Sequence, residues 1–229
     1  MWNLVFYLSC TVQSTTDNIS SDQEKEKTSL HSTEAIKEET ISKARIIVLG
    51  DSLSAGMGLD ISLAYPALLE TQLNQNGYAT EIVNAGQSGD TTAGGLQRVD
   101  WLLKQNPDLL IVELGANDGM RGIPISEIEK NIRAIIDKAQ PKNIPVFLTE
   151  MYIPPNFGQE YTKEFHSLFA QIAADENIPL LPFPLEEVAG KAELNQGDGI
   201  HPTAKGHQLM AKELLPMIEN WRRSWTKDN

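Results

Sequence analysis

From position 44 onward this chain alternates short apolar runs with stretches of helical spacing, and that alternation leaves few folds open to it. Residues 45–49 read Arg-Ile-Ile-Val-Leu, a β-branched run that stops at Gly50. Further runs lie at 81–83, 109–114, 146–148 and 180–181. Between them, apolar residues recur three and four apart. Leu68, Leu69 and Leu73 do so in 65–76, and Leu96, Val99, Leu102 and Leu103 in 96–104. Ile128, Ile132, Ile135 and Ile136 do so in 127–139, and Phe165, Leu168, Phe169 and Ile172 in 161–176. A last helix is expected over 204–225. Such spacing gathers the apolar side chains on one helix face. Strands that are apolar throughout, instead of alternating, belong inside a parallel sheet covered on both faces. The sequence therefore predicts an α/β fold built on a five-stranded parallel sheet.

The first 43 residues read differently. Residues 1–9 are short, apolar and aromatic, with no Lys or Arg, and Cys10 follows at once. That is too short to span a bilayer. Leu8-Ser9-Cys10 resembles the end of a bacterial lipoprotein signal, so 1–10 is read as a truncated lipoprotein signal with Cys10 lipidated. Residues 11–43 are rich in Ser, Thr, Glu and Lys and contain no aromatic residue. A stretch of that composition buries too little surface to offset its ordering entropy, and is expected to be a flexible polar tether. The folded domain is then 44–229, and its location extracytoplasmic: periplasmic, membrane-anchored or secreted.

Charge narrows the partners. The net charge of -12 argues against nucleic acid, whose phosphates demand a basic surface. Any membrane contact must come from the anchor at Cys10 or from an apolar patch. One cysteine allows no intramolecular disulfide, and four histidines make a metal cluster improbable from supply alone.

In parallel sheets, sites form beyond the carboxyl ends of the strands. Ser52, Gly89 and Asn117 each follow one of the first three expected strands. Ser52 is a candidate nucleophile, but a serine hydroxyl needs a base to take its proton. His201 is the best candidate, because imidazole titrates near neutrality. Asp198, three residues earlier, would set its tautomer and stabilise the imidazolium. The amides of Ser52 and Gly89 and the side chain of Asn117 would hold an oxyanion, each donor being worth about 3 kcal/mol. The order Ser, Asp, His is that of the α/β-hydrolases, yet Ser54 stands where their Gly-x-Ser-x-Gly elbow requires a second glycine. Asp51 and Asp118 read as loop braces, and His166 and His207 as surface or packing residues on helices.

These residues fall in four ordered blocks: Gly50-Asp51-Ser52-Leu53-Ser54, Gly86-Gln87-Ser88-Gly89-Asp90, Gly115-Ala116-Asn117-Asp118 and Asp198-Gly199-Ile200-His201-Pro202. In this the chain resembles the SGNH (GDSL) hydrolases, over about residues 45 to 220. Val112-Glu113-Leu114 before the third block, Met120-Arg121-Gly122 after it, and Pro155-Asn156-Phe157-Gly158 are most similar to the bacterial multifunctional thioesterase I / lysophospholipase / arylesterase branch. The resemblance implies a three-layer, flavodoxin-like αβα sandwich and serine hydrolysis without metal or cofactor. It also implies cleavage of acyl esters or thioesters, with residues 118–124 as a loop over the acyl chain. Met57, Met120, Ile153, Pro154 and Phe157 are the candidate acyl-binding residues, and a monomer acting on a small-molecule or lipid ester is expected. The rival expectation on the same fold is a carbohydrate or peptidoglycan O-acetylesterase, which would need a small polar acyl pocket.

Overall fold

A computed structural model describes residues 42–226 of the chain. Five strands, β1 (Ala44–Gly50), β2 (Thr80–Gly86), β3 (Leu109–Glu113), β4 (Val146–Thr149) and β5 (Leu180–Leu181), form one sheet. Their order is β2-β1-β3-β4-β5, and every pair is parallel. All five residues of β3 are buried, as befits a central strand with helices on both faces. The Cys10 assignment, and the tether except for residues 42 and 43, lie outside the described residues.

Among the described residues seven α-helices accompany the strands, the first six between them and the last after β5: α1 (Ser52–Ala55), α2 (Tyr65–Gln75), α3 (Thr92–Leu103), α4 (Ala116–Met120), α5 (Ile125–Ala139), α6 (Gln159–Asp175) and α7 (Ala204–Ser224). The chain moves from β1 to β2 in one direction, then crosses back to place β3, β4 and β5 on the other side of β1. Right-handed crossovers that run in opposite directions put their helices on opposite faces. Accordingly α2 packs on α7, while α5 packs between α3 and α6. Two helical layers enclose the sheet, which is the three-layer sandwich expected.

The strand order reverses at β1 and β3, so the loops leaving their carboxyl ends diverge and open a crevice. Those loops carry Ser52 and Asn117. Two boundaries differ from the sequence reading by three or more residues, both because of glycine. β2 continues to Gly86, which pairs with Gly50 and has no room for a side chain against Ser54 and Ala55. α3 begins four residues before Leu96, capped by Thr91, whose hydroxyl accepts the Gly94 amide at 3.2 Å. Gly94 and Gly95 disguised that first turn, and Gly95 is there because a side chain would strike Leu114. α1 and α4 are single turns, too short to show a period in sequence.

Candidate active site

β1 delivers Ser52. Asp51 caps α1, its Oδ1 accepting the Leu53 amide at 3.0 Å. A carboxylate suits that position because the free amides and the helix dipole both favour negative charge. The turn closes at Gly56, in the left-handed region at φ 68°. Ser52 is therefore the first residue of α1, not its cap, and its amide lacks an acceptor within the helix.

The loop before α7 delivers His201. Asp198 Oδ1 accepts the amides of Ile200 and His201, both at 3.0 Å. Its Oδ2 accepts from His201 Nδ1 at 2.6 Å. The imidazole bond foremost, then the two amides, lower the Asp198 pKa to about 2. A ring that donates through Nδ1 keeps the lone pair on Nε2. That Nε2 lies 3.0 Å from Ser52 Oγ, although 149 residues separate the two.

β3 delivers Asn117. Gly115 caps α4 at φ 122°, where the Phe169 ring leaves no space for a side chain. Asn117 Nδ2 donates to Asp51 Oδ2 at 3.1 Å, so one carboxylate serves both loops. Burial raises the Asp51 pKa to about 6, against the lowering effect of the Leu53 amide and of His201. Asp118, beside Asn117, ties α4 to α3 by accepting from the Thr92 amide at 2.9 Å and the Thr92 hydroxyl at 2.6 Å. Gly89 occupies a turn at φ 79°, and its carbonyl accepts from Arg121 Nη2 at 2.9 Å.

A serine, a histidine and an aspartate are thus in register at the switch point, with an asparagine amide beside them. The family model described as "GDSL-like Lipase/Acylhydrolase family" matches residues 48–209, which include all of them. The chain belongs to that family. It is 39% identical to "Esterase TesA" of Pseudomonas aeruginosa over 76% of this chain and 87% of that one. It is also 39% identical to "Thioesterase 1/protease 1/lysophospholipase L1" of Escherichia coli K12, over 76% of this chain and 85% of that one. Among solved structures it is similar to the psychrotrophic esterase EstA of Pseudoalteromonas sp. inhibited by monoethylphosphonate. The TM-score there is 0.75 and the identity 39%, over 79% of this chain and 99% of that one.

In this GDSL-family chain Ser52, Asn117 and His201 border a cavity of about 460 Å³, within the range of small-molecule sites. Of the five candidate acyl-binding residues, Met120, Ile153 and Pro154 line it. Met57 and Phe157 are not among its lining residues, and neither is Gly89. Met57 is 46% exposed, and its carbonyl is held by Gln196 Nε2 at 2.7 Å. Phe157 packs against the edge of the core.

Sequence reasoning missed part of the wall. Met151, Tyr152, Phe183 and Leu185 follow β4 and β5 and reach the cavity only because those strands lie beside β3. His166 also lines the cavity, its ring 4.4 Å from that of Tyr152. His207 is buried, and its Nδ1 accepts the Tyr65 amide at 3.2 Å. Among the described residues no group of three or more His, Cys, Asp or Glu is placed to hold a metal ion.

Proposed function

We propose that this protein is a carboxylic ester hydrolase that cleaves acyl esters or thioesters through an acyl-enzyme on Ser52. The observation that carries the reading is the unbroken line from Asp198 Oδ2 through the His201 ring to Ser52 Oγ, with separations of 2.6 and 3.0 Å. His201 Nε2 takes the hydroxyl proton as Oγ attacks the acyl carbon, and Asp198 stabilises the imidazolium. The carbonyl oxygen becomes an oxyanion, held by the amides of Ser52 and Gly89 and by Asn117 Nδ2. His201 then gives the proton to the departing alcohol or thiol. In the second half a water molecule attacks the acyl-enzyme, His201 takes its proton, and Ser52 leaves with that proton restored. The phosphonate inhibition named for EstA supports a serine nucleophile in a relative of the same fold.

The cavity wall favours an acyl chain over acetate, since Met120, Met151, Ile153 and Phe183 are apolar. The test is p-nitrophenyl ester hydrolysis from two to sixteen carbons, with a lysophospholipid and an acyl-CoA alongside. Wild type should prefer chains longer than acetyl, and Ser52→Ala should lose at least about 10⁴-fold in kcat at an unchanged melting temperature. Activity retained in Ser52→Ala would remove the assignment, and strict acetyl preference would favour the O-acetylesterase reading.

The domain 44–229 is proposed to work as a monomer outside the cytoplasm, attached through lipidated Cys10. Among the described residues no helix is long and apolar enough to cross a membrane, so attachment of this kind would rest on the lipid. Mass spectrometry of the N-terminal peptide from the native host tests it, an unmodified Cys10 being the contrary result.

A further inference from the structure

Behind Ser52 lies a group that the hydrolytic steps do not use. Glu113, the last residue of β3, is fully buried. Its Oε2 contacts the Ser54 hydroxyl and lies 3.0 Å from the Tyr65 hydroxyl, while those two hydroxyls are 3.1 Å apart. Three oxygens thus form a closed triangle linking β3, α1 and α2. Ser54 and Tyr65 are themselves buried. The carboxyl reaches them by passing Gly50, its partner across the β1–β3 ladder, where any side chain would collide with both Ser54 Oγ and Glu113 Oε2.

We propose that Glu113, with Ser54 and Tyr65, is a positioning group for hydrolysis, fixing the turn that carries Ser52 to the helix start that follows His201. The inference rests on the assignment of Ser52 as nucleophile. The connection continues from the Tyr65 amide to His207 Nδ1 at 3.2 Å, and from the His207 amide to the Thr203 carbonyl at 2.9 Å. Thr203 caps α7 two residues after His201. Ser52 and Ser54 share a helix of four residues, and a single turn has no stability of its own. Something outside it must hold the nucleophile, because a misplacement of about 1 Å costs on the order of 100-fold in rate.

The proton count fits an uncharged acid. A closed ring of three hydrogen bonds takes three protons, of which Ser54 and Tyr65 bring one each. The third is the carboxyl's own. Burial foremost, and the neighbouring Asp51 charge next, push Glu113 well above the usual carboxylate range. Glu113 Oε1 has no hydrogen-bond partner among the described residues, which a neutral carbonyl tolerates far better than a carboxylate would.

A purely structural role and a positioning role predict different things for Glu113→Leu. Glu113→Leu keeps the volume and leaves no buried charge, so the protein is expected to fold, with a melting temperature lowered by the loss of the contacts to Ser54 and Tyr65. The measurements are the melting temperature, kcat and KM on p-nitrophenyl butyrate, and the rate of fluorophosphonate labelling. Positioning predicts a folded Glu113→Leu protein with KM within about twofold, and with kcat and labelling rate reduced about 10- to 100-fold. A folded protein with wild-type kcat, or one changed in KM alone, overturns the inference. Should Glu113→Leu fail to fold, Tyr65→Phe decides, since it removes one hydroxyl. A kcat loss of about 3- to 10-fold at constant KM is then expected, and an unchanged kcat is the overturning result. Ser52→Ala, measured in parallel, separates the two claims. Turnover there refutes the nucleophile, whereas a dead Ser52→Ala beside a fully active Glu113→Leu refutes only the role of Glu113.

Discussion

The two halves of the site are held in opposite ways. Around Ser52 the supporting groups are buried and tied to distant parts of the chain: Asp51, Ser54 and Glu113 are each at most 1% exposed, with Asp51 bonded to Asn117 66 residues away and Ser54 to Glu113 59 residues away. Around His201 the support is local. All three bonds to Asp198 come from residues two or three positions away, and the Asp198 side chain is 44% exposed. Ser52 is therefore placed by the core, and His201 by one turn docked against it. Mutations should separate the halves, since damage in the first reaches stability as well as rate, whereas damage in the second reaches rate alone.

The largest effect that sharpens this contrast is His201→Ala. It should cost about a thousandfold in kcat/KM and leave the melting temperature within about 2 °C of wild type. A pronounced loss of thermal stability would show that the turn also supports the fold. Next comes Asp51→Asn, which keeps the carbonyl acceptor for Leu53 but turns an NH₂ group toward the Asn117 amide. Here kcat should drop about tenfold or more and the melting temperature by about 5 °C together, because a buried donor is left unpaired. Loss of rate at wild-type stability would erase the distinction between the halves.

The smallest effect concerns pH. His207 is buried as a neutral ring with its pKa lowered to about 4 by burial, so its contribution to stability is complete above its ordinary value near 6.5. That contribution is lost as pH falls from 6.5 through 4. Asp51, raised to about 6, has the opposite sign, its contribution being complete below its ordinary value of 3.8 and declining as pH rises toward 6. His207→Asn removes only the first. The melting-temperature gap between wild type and His207→Asn should therefore narrow by several degrees between pH 7 and pH 4. A gap constant across that range would contradict the assignment of a neutral His207.

Much of this is legible in the sequence. The apolar runs and helical spacing identify every strand and five of the seven helices, since a buried strand and an amphipathic helix each write their period into the chain. Ser52, Asn117, Asp198 and His201 could be named because each follows a strand or precedes a helix in a block of recognisable composition. The wall of the cavity could not. Tyr152 and Phe183 are ordinary loop aromatics until the strand order sets β4 and β5 beside β3. Met57 and Phe157 have the same apolar character and lie elsewhere, because composition carries no direction.

Glu113 shows the same limit inside a strand. Its place at the end of an apolar run marks the edge of β3, but nothing nearby announces Ser54 or Tyr65 as its partners, 59 and 48 residues away. Sequence alone determined the α/β alternation, the four motif blocks and the family, because those depend on local period and local residue type. Only the tertiary structure decided that Ser52 and His201 meet at 3.0 Å, which loops wall the cavity, and that a buried carboxyl stands behind Ser52. The reason is physical: strand order and side-chain contact are set by which faces exclude water together, and that is a property of the packed chain as a whole.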